Sequence, residues 1–207
     1  MTKDQIIKHF KINEKQKNLI EIFLEKISEE NQKTNLVGKS TLEEPWTRHV
    51  CDSVQICKLI KNNQSSILDM GTGAGIPGVF LSILGYTNVV MVDSTKKKTD
   101  FVSRSIDRLG IKASVYNSRL EGLKITAFDF ITARALAPIY KLINYSLFFS
   151  HKNTTLLFLK GRNVKKEIEE AKKLFAFNYE LLNSKSSPDG FLIKIKSYKK
   201  KWQRLYL

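Results

Sequence analysis

The residues best suited to grip a small molecule lie in Ile67-Leu68-Asp69-Met70-Gly71-Thr72-Gly73-Ala74-Gly75-Ile76-Pro77-Gly78. An apolar run enters a glycine-rich turn, and Pro77 opens the helix that follows. Glycine adopts the left-handed backbone region freely and lets a ligand approach the main chain. Gly73, Gly75 and Gly78 satisfy the dinucleotide fingerprint G-x-G-x-x-G, a weak signal when it stands alone. Asp69 argues for another ligand, because a carboxylate two residues before the first glycine suits a cation better than a pyrophosphate. S-adenosylmethionine carries a sulfonium, an ammonium and no phosphate, and loop amides at a helix N-terminus can receive its carboxylate. Asp93 ends the next apolar run, 22 positions after Gly71. At that distance an acidic side chain takes ribose hydroxyls, of NAD and S-adenosylmethionine alike. Leu120 and Glu121 follow the third apolar run, where the leucine is expected to cover an adenine and the backbone of the pair to read its edge.

The fourth run, Phe128–Thr132, leads to Ala133-Arg134-Ala135 beside the glycine loop. It lacks the Asn/Asp-Pro-Pro-aromatic turn that orients exocyclic amines for methylation. Both cysteines, Cys51 and Cys57, precede the glycine loop, which disfavours carbon-5 pyrimidine chemistry through a cysteine nucleophile. Guanine N7 needs neither device. Its lone pair is free and loses no proton, so proximity and alignment carry the reaction, and no catalytic base is assigned. Arg134 is not expected to face a base that becomes positive on methylation. It anchors the donor's carboxylate or an RNA phosphate, or forms a surface ion pair with Asp129 or another acid.

Those residues need a scaffold, and the chain supplies one. From Ser65 onward, short apolar runs (Ile67-Leu68, Val89–Val92, Ala113–Tyr116, Phe128–Thr132, Thr155–Leu159) alternate with helical patterns (Pro77–Leu84, Lys96–Leu109, Pro138–Phe149, Val164–Phe175). This alternation predicts a doubly wound, Rossmann-like α/β sheet, mostly parallel and twisted. Ser187-Pro188-Asp189-Gly190, between Tyr179–Asn183 and Phe191–Lys196, predicts a C-terminal antiparallel hairpin. Residues 63–207 form this domain, and residues 1–62 read as a helical N-terminal extension. Asn13 is the expected N-cap of a helix over Asn13–Gln32, and a second amphipathic helix is expected over Leu42–Ile60.

The 207 residues carry 35 basic against 20 acidic side chains, a net charge of +15. Such an excess attracts polyanions, although it also simply keeps a chain soluble. Arg48, with His49, is expected to touch RNA, to close over the donor, or to fix the extension against the sheet. Lys97, within Lys96-Lys97-Lys98, opens a helix at an end unfavourable to cations, which is read equally as phosphate contact or as a solvated face. Lys160 and Arg162 follow the fifth run on the same rim. Lys200 belongs to a tail, Tyr198–Tyr206, that interleaves bases and aromatics as single-strand binders do. The polar N-terminus, the lack of a long apolar stretch and the two cysteines predict a cytoplasmic chain without membrane span or disulfide framework. No residue spacing resembles a metal site, and a monomer is expected.

Taken in order, Asn35-Leu36, Arg48-His49-Val50-Cys51-Asp52-Ser53, Gly71–Gly78, Asp93-Ser94, Ser118-Arg119-Leu120-Glu121, Ala133-Arg134-Ala135 and Leu159-Lys160-Gly161 resemble the ribosomal small-subunit methyltransferase G family, also called glucose-inhibited division protein B. The resemblance covers about residues 13–196. Arg-His-x-x-Asp-Ser followed by Gly-Ile-Pro-Gly is its most specific part. It implies a class I S-adenosylmethionine-dependent methyltransferase acting on guanine N7 of 16S rRNA, in the decoding-region loop, either as free rRNA or in the small ribosomal subunit. It carries donor contacts onto Gly71, Ile76, Leu120, Glu121 and Arg134; Gly73 and Asp93 are added from the loop and ribose arguments. The family's usual tryptophan, threonine and serine are here Glu30, Val37 and Ala133. A methyltransferase for a small molecule or protein is the alternative, followed by an NAD-dependent oxidoreductase and by a non-catalytic RNA-binding module.

Overall fold

The computed structural model describes residues 1–201. Seven strands make one sheet: β1 (Ile67–Met70), β2 (Val89–Asp93), β3 (Ser114–Asn117), β4 (Phe128–Arg134), β5 (Ser150–Lys160), β6 (Phe175–Asn183) and β7 (Phe191–Lys200). Their order is β3-β2-β1-β4-β5-β7-β6. The first five are parallel, and β7 enters antiparallel between β5 and β6. The predicted α/β class and terminal hairpin are therefore present. β5, β6 and β7 extend beyond their apolar cores, and β6 starts directly after α7.

The helices are α1 (Lys3–Phe10), α2 (Glu14–Asn31), the single turn α3 (Asp52–Val54), α4 (Gly78–Ile83), α5 (Lys96–Leu109), α6 (Ile139–Ser146) and α7 (Val164–Leu174). Asn13 caps α2 as expected, accepting from the Gln16 N–H at 2.9 Å while Gln16 reaches back to the Asn13 N–H. Leu42–Ile60 departs from the expected single helix. It comprises a π-helical segment, Trp46–Cys51, then α3, then a 3-10 segment, Gln55–Leu59. His49, Val50 and Cys51 are three consecutive buried residues, more than the single stripe of a regular surface helix turns inward. The wider π winding accommodates them at a place where function often distorts helices.

Each face of the sheet has its own core. On one, Ile20, Phe23 and Ile27 of α2 pack with Phe80, Phe101 and Val102. The Phe23 ring meets Phe80 edge-on at 5.2 Å and stacks on Phe101 at 6.2 Å. The N-terminal helices thus share a core with the sheet. On the other face, α6 and α7 bury Ile139, Ile143, Val164 and Ile168 against Leu68, Met70, Ile131 and Phe158. Strand order reverses between β1 and β4, so a crevice opens beyond their carboxyl ends, where open α/β sheets hold ligands.

Candidate active site

Asp69 sits in β1, an interior strand between β2 and β4, and is fully buried. Its Oδ2 accepts from Thr72 Oγ1 at 2.5 Å and from the Gly78 N–H at 3.0 Å, and its Oδ1 accepts from Thr132 Oγ1 at 3.2 Å. This corrects the expectation of a carboxylate facing a cationic ligand: Asp69 points inward and clamps both ends of the glycine turn. Burial pushes its carboxyl up to about 6, against the opposing pull of these hydrogen bonds.

The clamped turn presents its outer face to a cleft of about 900 Å³, within the size of ordinary ligand sites. Gly71, Thr72, Gly73, Ala74 and Ile76 line one wall, with Asp93 at its end. Asp93 Oδ2 accepts from the Gly73 N–H at 3.0 Å, and Oδ1 from the Thr95 N–H at 2.8 Å. The carboxylate keeps lone pairs for a hydroxyl at the cleft edge. Gly71 and Gly73 have φ of +65° and +58°, and a Cβ on Gly73 would meet nothing within 4 Å. That bare, left-handed backbone beside Asp93 fits S-adenosylmethionine: open main chain for its methionyl portion and a carboxylate for its ribose. Leu120 and Glu121 stand apart from this wall. Their 3-10 turn, Leu120–Gly122, buries Leu120 with Leu68, Met70 and Val92 and leaves Glu121 exposed, and neither lines the cleft.

The opposite wall comes from the extension and the β6–β7 loop. Arg134, ending β4, lines the cleft and turns towards the extension. Its Nη1 donates to the Arg48 carbonyl at 2.8 Å and stands 3.5 Å from Asp52 Oδ2, while Nη2 lies 3.0 Å from His49 Nδ1. Of the acids expected to pair with Arg134, Asp129 or another, the partner is Asp52, and the pair is largely buried. Asp129 lies at the amino end of β4, bonded to Ser66 and His151. Burial, then the charges of Arg134 and Arg48, drive the His49 imidazole down to about 3, so the ring is neutral beside the Arg134 guanidinium. Asp52 also accepts from Ser186 Oγ, and Gln55 Oε1 accepts from the Lys185 N–H at 3.1 Å. Sequence reading missed Asp52, Gln55 and the 184–190 loop as site components, having taken that loop only as a turn.

The basic residues divide by position. Arg48 and Arg162 are exposed and line the cleft. Lys160 also lines it, but its Nζ lies 2.6 Å from a Glu167 carboxylate oxygen and donates to the Ala137 carbonyl at 3.0 Å. Only 9% of its side chain is exposed, so its ammonium is held within the wall instead of offered at the rim. In the lysine run Lys98 lines the cleft, whereas Lys97 is exposed outside it and Lys96 pairs with Asp100. Lys200 lies at the far end of the sheet. β7 starts at Phe191 opposite Lys160, and nine residues of strand place Lys200 ~30 Å away. Tyr198 is half-buried and bonded to Ser150. Trp202-Gln203-Arg204-Leu205-Tyr206, the remainder of the expected RNA-binding tail, lie outside the described residues. Among the described residues no His, Cys, Asp or Glu group could hold a metal ion, and no helix is long and apolar enough to cross a membrane.

A parallel sheet with a glycine turn at its reversal point, an acidic end to the second strand and an antiparallel last hairpin define a class I S-adenosylmethionine-dependent methyltransferase. Solved methyltransferases share this fold. A ribosomal protein L11 methylase from Lactobacillus delbrueckii subsp. bulgaricus superposes with a TM-score of 0.59 at 18% identity, over 70% of this chain and 76% of that one. An O-methyltransferase from Bacillus cereus, solved in complex with SAH, gives 0.57 at 16% identity, over 84% and 90%. The model of the rRNA small subunit methyltransferase G family matches residues 16–189, and the chain belongs to that family. It is 32% identical over 205 residues to the ribosomal RNA small subunit methyltransferase G of Zymomonas mobilis subsp. mobilis, covering 93% of both chains. To the protein of the same name from Caulobacter vibrioides it is 37% identical over 174 residues, 82% of this chain and 80% of that one.

Proposed function

We propose that this chain transfers a methyl group from S-adenosylmethionine to N7 of a guanine in the 16S rRNA of the small ribosomal subunit, in the decoding-region loop. The observation that carries this reading is a single cleft. It joins the glycine turn and Asp93 at one end to the tips of β4, β5 and the β6–β7 loop at the other, with Arg48 and Arg162 at its mouth.

Bound S-adenosylmethionine supplies an electrophilic methyl carbon. Gly71, Gly73 and Ile76 are proposed to cradle its methionyl portion and Asp93 to accept from its ribose hydroxyls, with the adenine extending past Asp93, outside the cleft, towards the turn of Leu120 and Glu121. Arg134, already shaped by His49, Asp52 and the Arg48 carbonyl, holds the wall against which the donor lies. The lone pair of guanine N7 forms the new bond to carbon as the bond between that carbon and sulfur breaks. Positive charge passes to the purine and no proton moves, so the chain's task is alignment.

Radiolabelled methyl transfer to small-subunit particles, naked 16S rRNA, a protein extract and a metabolite pool tests the reading. Incorporation into rRNA, free or assembled, is expected. Incorporation only into protein or metabolites would establish the alternative methyltransferase.

A further inference from the structure

Resting on the guanine-N7 reading, we propose that Asp189 is the residue that recognises the acceptor base, its carboxylate accepting from guanine N1–H and N2–H while N7 faces the glycine turn. Four carboxylates line the cleft: Asp52, Asp93, Glu167 and Asp189. Three have partners already. Asp93 receives the Gly73 and Thr95 amides, Asp52 receives Ser186 and Arg134, and Glu167 receives Lys160 and the Ile139 N–H. Among the described residues Asp189 has only Arg162, at 3.9 Å, a loose contact between two largely exposed side chains. It is the lining carboxylate that accepts no hydrogen bond from those residues.

Its place along the rim suits one purine. Gly71 follows β1, Ala135 follows β4, Gly161 follows β5 and Gly190 precedes β7, and these four strands are successive neighbours. Three strand spacings put the Asp189 loop ~14 Å from the glycine turn. A methyl-bearing sulfur and one base fill that interval. Guanine carries N7 on its five-membered ring and the N1–H, N2–H pair on its six-membered ring, along an edge roughly at right angles to the N7 lone pair. With N7 turned towards the donor, those two parallel donors lie on the far ring, on the side of the base where Asp189 can approach. A carboxylate is an acceptor with two oxygens and matches that pair. Adenine presents a lone pair at N1 and meets repulsion there. The same negative charge stabilises the positive charge that develops on the purine.

The loop is built to hold this position. The Gly190 N–H donates to the Ser187 carbonyl at 3.1 Å, and the Ser184 N–H donates to the Gly190 carbonyl at 2.9 Å. Ser186 then binds Asp52, and the Lys185 amide binds Gln55. The extension thereby fixes the loop that carries the base reader.

The test uses small-subunit particles reconstituted with rRNA bearing guanosine or inosine at the methylated position, since inosine lacks only the N2 amine. Wild type is expected to methylate the guanosine particle faster by about tenfold or more. Asp189→Asn is expected to lower that rate and bring the two particles within about threefold of each other, while binding S-adenosylhomocysteine as wild type does. Undiminished discrimination in D189N would overturn the proposal. So would loss of S-adenosylhomocysteine binding in D189N, which would mark Asp189 as structural. Failure of wild type to methylate either particle would instead overturn the function on which the proposal rests, and the proposal with it.

Discussion

Arg134 Nη2 lies 3.0 Å from His49 Nδ1, and this contact makes the N-terminal extension a wall of the cleft. The guanidinium donates, so His49 must keep that nitrogen unprotonated. Nη1 adds the bond to the Arg48 carbonyl at 2.8 Å.

Acid should therefore weaken the fold through His49. Its folded pKa, lowered by burial and by Arg134 to about 3, lies below the 6.5 of an unperturbed histidine. Between those values the unfolded chain binds the extra proton, so the contribution of His49 is complete above pH 6.5 and lost as pH falls towards 3. The slope is ~1.4 kcal/mol per pH unit. Buried Asp69 and Asp52 have raised pKa values and act in the opposite sense, so the comparison is made between wild type and His49→Gln. Urea titrations should show their stability difference shrinking from pH 7 to pH 5; a constant difference would contradict the assignment.

Asp69→Ala should cost about 3 kcal/mol, because it strands the Gly78 N–H and two hydroxyls that the carboxylate satisfies. Asp69→Asn keeps an acceptor and avoids a buried charge, and should cost less. Urea midpoints at pH 7 check the order.

Gly73→Ala should reduce S-adenosylhomocysteine affinity about tenfold or more, because a methyl group would stand in the cleft on a backbone at φ +58°. The left-handed conformation itself costs ~1–2 kcal/mol. Gly85→Ala is the control: it has φ +99°, open surroundings and no place in the cleft wall. Calorimetry should find its ligand affinity unchanged.

Arg162 and Lys160 are two positions apart and should fail differently. Arg162→Ala should weaken binding to small-subunit particles and reduce the slope of log affinity against log salt by about 1. Lys160→Ala leaves Glu167 without its cation in the wall and should cost about 2–3 kcal/mol of stability. Salt-dependent binding and urea unfolding separate the two effects.

The sheet and most helices were legible because their apolar residues recur at the strand or helix period. α5 runs over the expected Lys96–Leu109, and Gly110 closes it at φ +60°. The 46–59 segment was not legible, because π and 3-10 windings lack a signature in an apolar stripe. Side-chain direction was the larger loss. The sequence shows that a carboxylate precedes the glycine turn; only the position of β1 between β2 and β4 shows that Asp69 must point into the protein. Likewise, the length of β7 removes Lys200 from the rim. The pairing of Asp52 with Ser186 spans 134 positions, and no local pattern announces it.

The central claim is tested most directly by mapping the methylated atom. Small-subunit particles from cells lacking this chain, incubated with the purified protein and S-adenosylmethionine, are treated with borohydride and aniline, which cleave RNA at N7-methylguanosine. One new cleavage, at a single guanosine of the 16S rRNA and dependent on the protein, is the predicted result. Methyl incorporation with no such cleavage, or none into rRNA at all, would contradict it.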